Sequence, residues 1–418
     1  MLPSLRNILE VYDPFRGKRP LPKEIPKRVV IIRTDRIGDH VVFGGALEAF
    51  AKAWPQTRIS MVAPENQRDM YKHCPYVHEY IGVVEHDRKS RAKAYKQINR
   101  AKPEWLINFL ASRSRISDRI MRYCYAPVRV GWSRLNDGQE DQNSEYYDRF
   151  YTHQFLAEWP TSLRDWEKNR RLLGHLGIDA PKAPPTVWTG QEDVAAAQRI
   201  YAEAKFRPEE TVVCFLGASN STRTPPQLKP AIIKLMQEFK FNVIMVGAAA
   251  DHTMSVAPVD VPEELWLNLC GKTTVQQTAE LMRLCRLVIG VDSGPAHLAS
   301  AVHAPHVIAM HGMNIGRFLP ANRETSLVLN PLGCYLCYQK CVFEETYCLT
   351  SLPYTLFRQA VADAWAGKSE RARVYRPVGK FLEKLRPDAV SKWDPSWVEA
   401  DSTEVIEVPV SEGPGQGF

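Results

Sequence analysis

The residues best suited to chemistry lie in one short segment, 287–312, which reads LVIGVDSGPAHLASAVHAPHVIAMHG. Its pattern predicts an apolar strand, a tight Ser-Gly-Pro turn, a helix and a second strand, the unit from which parallel α/β sheets are built. Backbone N–H groups at the start of that helix have no partner within it, and Gly294 allows a ligand close to them. Ser293 and His297 are four residues apart, so a hydroxyl and an imidazole share one helix face. These features predict a pocket for an anion such as a phosphate, with Asp292 at the strand end beside it.

Two further strand ends in the second half of the chain carry polar loops. Residues 217–223, GASNSTR, offer small residues, hydroxyls such as that of Ser219, and one guanidinium, that of Arg223. This cation could neutralise a diphosphate without help from a metal. After the next strand, Asp251 could hold ribose hydroxyls or could cap the following helix. Because such loops meet at one edge of a parallel sheet, their coincidence favours a single ligand site.

A carboxylate with a different potential role lies near the N-terminus. Residues 33–39, RTDRIGD, join the first predicted strand to the first predicted helix. The helix start favours the ionised form of Asp39, which could accept a proton from an incoming hydroxyl. Capping of the helix by Asp39 or Asp35 is the commoner role for such residues, and the turn alone leaves it open.

The elements that must position these loops alternate between strand and helix in both halves of the chain. A Gly- and Pro-rich stretch, GIDAPKAPP, fits a linker between the halves. We therefore predict an α/β chain with two Rossmann-like doubly wound domains in tandem. The predicted strands are 28–32, 58–62, 79–84, 105–109, 128–131, 211–216, 242–246, 287–291 and 307–310. The predicted divisions are an N-terminal arm (1–26), domains at 27–185 and 186–370, and a C-terminal extension (371–418), whose acidic tail (388–418) is mobile or packed on a partner.

The composition is that of a folded protein, with 418 residues, 44% of them hydrophobic, and a net charge of +7. No apolar run approaches the roughly 18 residues that cross a bilayer, and residues 1–15 lack the features of a signal peptide, so a cytoplasmic location is expected. Basic residues cluster at 88–102 and 113–134, which suits an acidic partner or a solvated helix face. Nucleic acid is not expected, because no recognised binding motif accompanies the charge.

Four cysteines crowd into one segment, whereas the other five are scattered. In a reducing compartment this crowding favours a metal over disulfides. The four are Cys334, Cys337, Cys341 and Cys348.

Several of these motifs resemble those of one known family. The sequence LCGKTTVQQTAELMRLCRLVIGVDSGPAHLASAVHAPHVIAMHG closely resembles the C-terminal signature of the ADP-heptose:lipopolysaccharide heptosyltransferases, glycosyltransferase family 9. RTDRIGDHVVFGGALEAF resembles the opening motif of that family, FLGASNSTRTPP its middle motif, and APVRVGW a strand ahead of its acceptor loops. The resemblance covers roughly residues 28–352, most of the chain.

The resemblance implies a GT-B fold, in which two Rossmann-like domains face a central cleft and bind the acceptor and the sugar nucleotide respectively. Asp39 matches the proposed general base of the family. Arg223 stands where the family usually has Lys, and Pro225 where Trp is common. The positions that match the donor-binding residues of the family are Ser219, Arg223, Asp251, Asp292, Ser293, Gly294 and His297.

The activity that the resemblance implies is inverting transfer of heptose from ADP-heptose to a hydroxyl of a lipopolysaccharide inner-core acceptor, without a cofactor for catalysis. Arg113, Arg115 and Arg119 lie where the family builds its acceptor side and would suit an anionic core or the cytoplasmic face of the inner membrane.

Alternatives to this activity are transfer to protein hydroxyls, use of another nucleotide sugar, or a non-catalytic sugar-nucleotide-binding protein. In the subfamily that heptosylates autotransporters, a four-cysteine site holds iron. The cysteine cluster here is therefore predicted to hold structural zinc or iron, or to form a reduced or disulfide-linked structural knot. A dehydrogenase is disfavoured because no G-x-G-x-x-G follows the first strand.

Overall fold

The computed structural model describes residues 20–133, 144–156, 164–180, 183–218, 223–312, 322–330, 332, 341, 343, 345–367, 371–377 and 403–408. The chain divides into two compact units, Met1–Pro160 with Asp165–Pro184, and Thr161–Arg164 with Pro185–Phe418. Their main boundary therefore falls in the Pro-rich stretch in which the sequence places a linker. Within the described residues, no helix is long and apolar enough to cross a membrane.

The first unit is built on a six-stranded sheet with the strand order β3-β2-β1-β4-β5-β6. All of its neighbouring strands are parallel. The strands are β1 (Arg28–Ile32), β2 (Arg58–Pro64), β3 (Glu79–Val83), β4 (Trp105–Asn108), β5 (Val128–Trp132) and β6 (His153–Phe155). The helices are α1 (Ile37–Ala53), α2 (Arg88–Ala101), α3 (Arg115–Tyr123), α4 (Ser144–Asp148) and α5 (Asp165–His175).

The direction of winding reverses at the centre of this sheet. The chain runs outward from β1 to β2 and β3, and then crosses over to β4 on the other side of β1. Because parallel crossovers are right-handed, α1 covers one face of the sheet while α2 and α3 cover the other. The second face carries a continuous apolar core in which Ala94 and Ile98 of α2 and Ile120 of α3 pack with Val30 and Ile32 of β1. The predicted doubly wound arrangement is confirmed.

Helix α1, which follows the predicted catalytic turn, is held by a close backbone approach. A Cβ atom at Gly45 would lie 2.1 Å from the carbonyl oxygen of Pro184. Only glycine allows this contact, which ties α1 to the last segment of the unit.

The second unit contains an eight-stranded sheet in the order β14-β13-β12-β11-β10-β7-β8-β9. Its strands are β7 (Thr211–Cys214), β8 (Asn242–Met245), β9 (Trp266–Asn268), β10 (Leu287–Val291), β11 (His306–Ala309), β12 (Thr325–Val328), β13 (Ala372–Pro377) and β14 (Thr403–Val408). Its helices are α6 (Gln191–Ala204), α7 (Leu228–Phe239), α8 (Val275–Leu284), α9 (Gly294–Ala301), α10 (Tyr347–Thr350) and α11 (Tyr354–Trp365).

Part of the acidic tail forms the edge of this second sheet. Strand β14 pairs with β13 in the antiparallel sense, whereas the other strand pairs are parallel. The Nε atom of Arg376 lies 2.7 Å from Oε2 of Glu404, and Arg373 faces Glu407 at 3.5 Å. The sequence predicted an extension that is mobile or packed on a partner, but residues 403–408 pair within the chain because their acids meet the arginines of β13.

Candidate active site

The polar loops of the second unit follow strands that are neighbours in the sheet. Strand β7 lies between β10 and β8, and it is parallel to both. The direction of winding reverses between β7 and β10, and open α/β sheets bind ligands at the carboxyl ends of strands at such a point. The loops after these three strands are those that the sequence predicts to bind the donor.

Two of these loops touch through an aspartate and a glycine. A Cβ atom at Gly217 would lie 2.1 Å from Oδ2 of Asp251, so the loop after β7 passes directly against the carboxylate that follows β8. The same Oδ2 atom accepts a hydrogen bond from the backbone N–H of Ala248 at 2.8 Å. Asp251 therefore caps the helix that follows, which is one of the two roles that the sequence left open. Its contact with a ribose stays a prediction.

The third loop places a hydroxyl at the start of helix α9. Ser293 is the N-cap residue, but its side chain makes no capping hydrogen bond. Its Oγ atom is buried and has no hydrogen-bond partner among the residues that the structure describes. Buried polar groups are nearly always hydrogen-bonded, and a helix N-terminus favours negative charge. An anionic ligand at this point would supply the missing acceptor.

Two buried ionisable residues lie on the same strand–helix turn as this hydroxyl. Asp292 is 4% exposed and His297 is 5% exposed, so both side chains are almost completely buried beside Ser293. The backbone N–H of Asp292 donates to the carbonyl of Ala309 at 3.2 Å, which fixes the loop on the end of β11. The sequence-predicted trio Asp292, Ser293 and His297 is therefore brought together on one strand–helix turn.

His311 joins this group although the sequence did not single it out. It lies just beyond β11. Burial lowers the pKa of its imidazole, Asp292 raises that pKa, and Arg223 lowers it further. These three groups are therefore electrostatically coupled. The signal was present in the sequence, since His311 follows the second strand of the segment that carries Ser293. Ser219, which was predicted to bind the donor, lies outside the described residues.

In the first unit, the Arg33-to-Asp39 turn lies at the switch point between β1 and β4. Asp39 occupies the third position of α1 and is half-buried. Its Oδ2 atom accepts a hydrogen bond from the backbone N–H of Arg36 at 3.1 Å. The capping role is therefore real, and it uses one of the two carboxylate oxygens.

A second carboxylate in the same turn lies within a buried polar network. Asp35 Oδ2 is 2.9 Å from Nη2 of Arg33, and Asp35 Oδ1 is 3.4 Å from Nε2 of His40. The Nδ1 atom of His40 shares a hydrogen bond of 2.6 Å with the hydroxyl of Tyr71. Burial raises the pKa of Asp35 to about 8, against the lowering effect of Arg33, and Asp39 adds to the rise. Burial also lowers the pKa of His40 well below its usual value, so this imidazole is neutral at pH 7.

The three arginines predicted to contact an acceptor fall into two groups. The side chain of Arg113 is fully buried, with Nε 2.8 Å from Oδ1 of Asp118, a second ion pair to Asp148, and the guanidinium carbon 4.3 Å from the centre of the Tyr151 ring. With a 3.4 Å hydrogen bond from Nη1 to the carbonyl oxygen of Trp132 at the end of β5, these contacts hold α3, α4 and β5 together. They leave Arg113 no surface for an acceptor. Arg115 is exposed and Arg119 half-buried on the outside of α3, so an acceptor contact remains a prediction for these two.

The cysteine cluster is described only in part. Cys334 and Cys337 lie outside the described residues. Cys341 is exposed, and its Sγ atom lies 3.5 Å from the carbonyl oxygen of Glu345, while Cys348 is buried. Among the residues that the structure describes, no group of three or more potential metal ligands comes together. The zinc or iron site therefore stays a prediction.

Sequence comparison shows which known proteins this chain resembles. Residues 116–347 match the profile described as "Glycosyltransferase family 9 (heptosyltransferase)". The chain is 22% identical over 333 residues to lipopolysaccharide heptosyltransferase 2 of Escherichia coli K12, covering 74% of this chain and 89% of that protein. It is 20% identical to lipooligosaccharide heptosyltransferase 2 of Haemophilus ducreyi, covering 72% of this chain and 88% of that protein.

Solved structures show the same fold. The family 9 glycosyl transferase of Veillonella parvula superposes with a TM-score of 0.71 at 19% identity, covering 82% of this chain and 99% of that chain. The ADP-heptose LPS heptosyltransferase II of E. coli superposes with a TM-score of 0.64 at 16% identity, over the same shares. The predicted α/β fold of the GT-B type is confirmed.

Proposed function

Because the chain belongs to glycosyltransferase family 9, the heptosyltransferase family, we propose that it transfers heptose from ADP-heptose to a hydroxyl of a lipopolysaccharide inner-core acceptor. The names of its relatives supply this donor and this acceptor. The observation that carries the proposal is the buried Ser293 hydroxyl, which lacks a partner among the described residues and lies at the start of α9.

The donor diphosphate would bind at the N-terminus of α9. Its oxygens would accept hydrogen bonds from the Ser293 hydroxyl and from backbone N–H groups near Gly294, where no side chain obstructs the approach. Arg223 and His297 would stabilise the negative charge that builds on the leaving diphosphate. Asp292 would face the sugar hydroxyls, and Asp251 the ribose. The guanidinium of Arg223 and the N-terminus of α9 supply a positive field from the chain itself, so the proposed mechanism needs no divalent ion.

The acceptor would be activated by Asp39. In a single displacement, the acceptor oxygen attacks the anomeric carbon of the heptose while the bond from that carbon to the diphosphate oxygen breaks. The proton of the acceptor hydroxyl passes to the Asp39 carboxylate, and ADP leaves with the bonding electrons. The configuration at the anomeric carbon is thereby inverted. The Arg36 hydrogen bond stabilises the ionised form of Asp39, and the base requires that form.

The test is transfer to a defined acceptor. The purified chain is incubated with ADP-heptose and a core lipid that lacks heptose, and the products are analysed by mass spectrometry. The proposal predicts an acceptor heavier by one heptose and an equal amount of ADP. Transfer from a different nucleotide sugar only, or transfer to a protein passenger but not to the core lipid, would overturn the proposed substrates while leaving the enzyme class intact.

A further inference from the structure

A line of three polar side chains leads from the turn that carries Asp39 into the first unit. Oδ1 of Asp35 lies 3.4 Å from Nε2 of His40, and Nδ1 of His40 lies 2.6 Å from the hydroxyl oxygen of Tyr71. His40 is in the first turn of α1, whereas Tyr71 ends a short 3-10 helix, Glu65–Tyr71, that follows β2. Both of these side chains are almost completely buried. We refer to Asp35, His40 and Tyr71 as the polar chain.

Two facing atoms of the polar chain have no hydrogen-bond partner among the residues that the structure describes. They are Oδ1 of Asp35 and Nε2 of His40, and both atoms are buried. Buried polar atoms are nearly always hydrogen-bonded. A proton shared between this oxygen and this nitrogen would satisfy both atoms.

The contacts of Asp35 decide where that proton lies at neutral pH. Burial raises the pKa of Asp35 to about 8 and lowers the pKa of His40 well below its usual value. At pH 7 the acid is therefore mostly protonated, and the imidazole carries a single N–H. Because Oδ2 of Asp35 faces the guanidinium of Arg33, which can only donate, the acidic proton belongs on Oδ1. Nε2 of His40 then accepts that proton, and Nδ1 carries the N–H that donates to Tyr71.

Loss of the acidic proton reverses the polar chain. An ionised Asp35 can only accept, so the N–H of His40 moves to Nε2 and points at the carboxylate. Nδ1 becomes an acceptor, and the hydroxyl of Tyr71 donates to it. This hydroxyl keeps its proton, because burial raises the pKa of Tyr71 well above its usual value. The tautomer of His40 therefore reports whether Asp35 is protonated.

Arg33 connects the polar chain to the backbone of the base. Its Nη2 atom donates to the carbonyl oxygen of Asp39 at 3.3 Å and lies 2.9 Å from Oδ2 of Asp35. Its Nη1 atom donates to the carbonyl oxygen of Phe109 at 2.9 Å and to Oδ1 of Asn169 at 3.2 Å. Hydrogen bonds to ionised groups are roughly twice as strong as neutral ones. Ionisation of Asp35 would therefore draw Nη2 away from the Asp39 carbonyl.

Two further acids act on Asp35 from the helices packed around it. Asp39 of α1 and Asp165 of α5 both raise its pKa, whereas Arg33 lowers it. Asp165 itself is paired with Lys168 at 2.8 Å. The acids of both helices therefore oppose the ionisation that Arg33 favours, and they help to keep the proton on Asp35.

We propose that Asp35 is a positioning residue for the base, and that it holds the turn of Asp39 in place for transfer while its proton is shared with His40. The inference rests on the proposed function, because Asp39 is the base of that reaction. Ionisation of Asp35 reverses the polar chain and weakens the hold of Arg33 on the Asp39 backbone. It also adds a second negative charge beside an anionic acceptor.

The first experiment follows the proton of His40 and needs no substrate. The full chain is labelled with ¹⁵N-histidine and studied by long-range ¹H–¹⁵N NMR at about pH 6 and about pH 10, on either side of the Asp35 titration. The His40 signals are identified by their loss in His40→Gln. We expect the N–H on Nδ1 at the lower pH and on Nε2 at the higher pH. In Asp35→Asn, whose side-chain N–H replaces the acidic proton, it should stay on Nδ1.

The second experiment measures kcat/KM for heptosyl transfer between pH 7 and pH 9. If the protonated form of Asp35 positions the base, the wild-type value should fall about tenfold over this range. Asp35→Asn should lack this fall, whatever its rate at pH 7. Both proteins receive the same substrates, so ionisation of a substrate cannot cause the difference. A purely structural role for Asp35 would change the melting temperature and leave the pH profile as it is.

The far end of the polar chain is tested by Tyr71→Phe, which removes the hydroxyl that holds His40. Tyr80→Phe is the matched control, because its ring lies 5.6 Å from that of Tyr71 and its hydroxyl donates to the carbonyl oxygen of Pro64, outside the polar chain. We expect kcat to fall about tenfold in Tyr71→Phe, with the Kd for ADP unchanged, and to keep its wild-type value in Tyr80→Phe.

Three results would each overturn the role of Asp35. They are a His40 tautomer that is the same at both pH values in the wild type, equal pH profiles of the wild type and Asp35→Asn, and a wild-type kcat in Tyr71→Phe. Failure of the proposed function is recognised separately, because the wild type would then transfer no heptose at any pH. Transfer by a wild type whose His40 tautomer does not change would leave the proposed function intact and refute the role of Asp35.

Discussion

In the turn that joins β1 to α1, the carboxylate of Asp35 lies 2.9 Å from the guanidinium of Arg33. Asp35 is four residues before Asp39 in the sequence. The attraction of Arg33 does not keep this acid ionised, because burial raises its pKa to about 8 and the nearby Asp39 and Asp165 add to the rise. Of the two carboxylates in the turn, Asp35 is thus mostly protonated at neutral pH, which lowers the negative charge beside Asp39.

This protonation makes the contribution of Asp35 to stability depend on pH. An acid whose pKa is higher in the folded protein than in the unfolded chain stabilises the fold when it is protonated. For Asp35 this contribution is complete below the pKa of the unfolded chain, about 3.9, and is lost as the pH rises to the folded-state pKa, about 8. The stability of the wild type relative to Asp35→Asn should therefore fall between pH 4 and pH 8. Urea denaturation midpoints of both proteins across this range provide the measurement. Asp179→Asn, at an exposed site in the same unit, is the control, and a constant difference between wild type and Asp35→Asn would refute the assignment.

Ser293→Ala should weaken donor binding without destabilising the protein. Its hydroxyl has no hydrogen-bond partner among the described residues, so its loss leaves no contact broken there. One hydrogen bond to a charged ligand is worth roughly 1.5 kcal/mol, which corresponds to about a tenfold rise in the Kd for ADP. Calorimetry with ADP measures this effect.

The matched control for Ser293 is Thr274→Ala, at the N-cap of α8 in the same unit. Thr274 does cap its helix, by accepting a hydrogen bond from the backbone N–H of Gln277 at 3.1 Å. Its removal should cost about 1 kcal/mol of stability and leave ADP binding unchanged. If Ser293→Ala behaved in the same way as Thr274→Ala, Ser293 would be a structural cap and not a donor contact.

Arg113→Ala and Arg115→Ala should have opposite consequences. Removal of Arg113 leaves Asp118 buried without its cation, and breaking a buried ion pair typically costs about 3–5 kcal/mol. Arg115 is exposed at the first position of α3, so its replacement should leave the melting temperature unchanged and raise the KM for an anionic acceptor. Thermal melting and acceptor kinetics of both variants are the measurements. A stable Arg113→Ala protein with a raised acceptor KM would restore Arg113 to the acceptor site.

Long apolar runs made much of the fold predictable from sequence. The bounds of β1 and β10 agree with the predicted ranges, because each is a buried run between polar turns. Strands β6 and β9 were not predicted, since three residues carry too little pattern. Strand β14 was not predicted either. Its acidic side chains are typical of an extended tail, and only the structure shows that they lie beside the arginines of β13.

The site was predictable where it is local in sequence. Asp292, Ser293 and His297 occupy one turn, so their spacing alone brings them together. The network around Asp35 was not predictable, because the hydrogen bond between His40 and Tyr71 joins residues 31 positions apart. Arg113 and Arg115 are two residues apart in one basic run, and only packing shows that the first is buried and the second exposed.

The transfer rate of Asp39→Asn tests the central claim most directly. An asparagine oxygen can still accept the hydrogen bond from Arg36, so the cap of α1 is retained while the base is lost. Glu48→Gln on the same helix removes a half-buried carboxylate as a control. We predict that kcat/KM for heptosyl transfer falls about 10²–10⁴-fold in Asp39→Asn, while the Kd for ADP and the rate of Glu48→Gln stay at wild-type values. Transfer by Asp39→Asn at the wild-type rate would contradict the account.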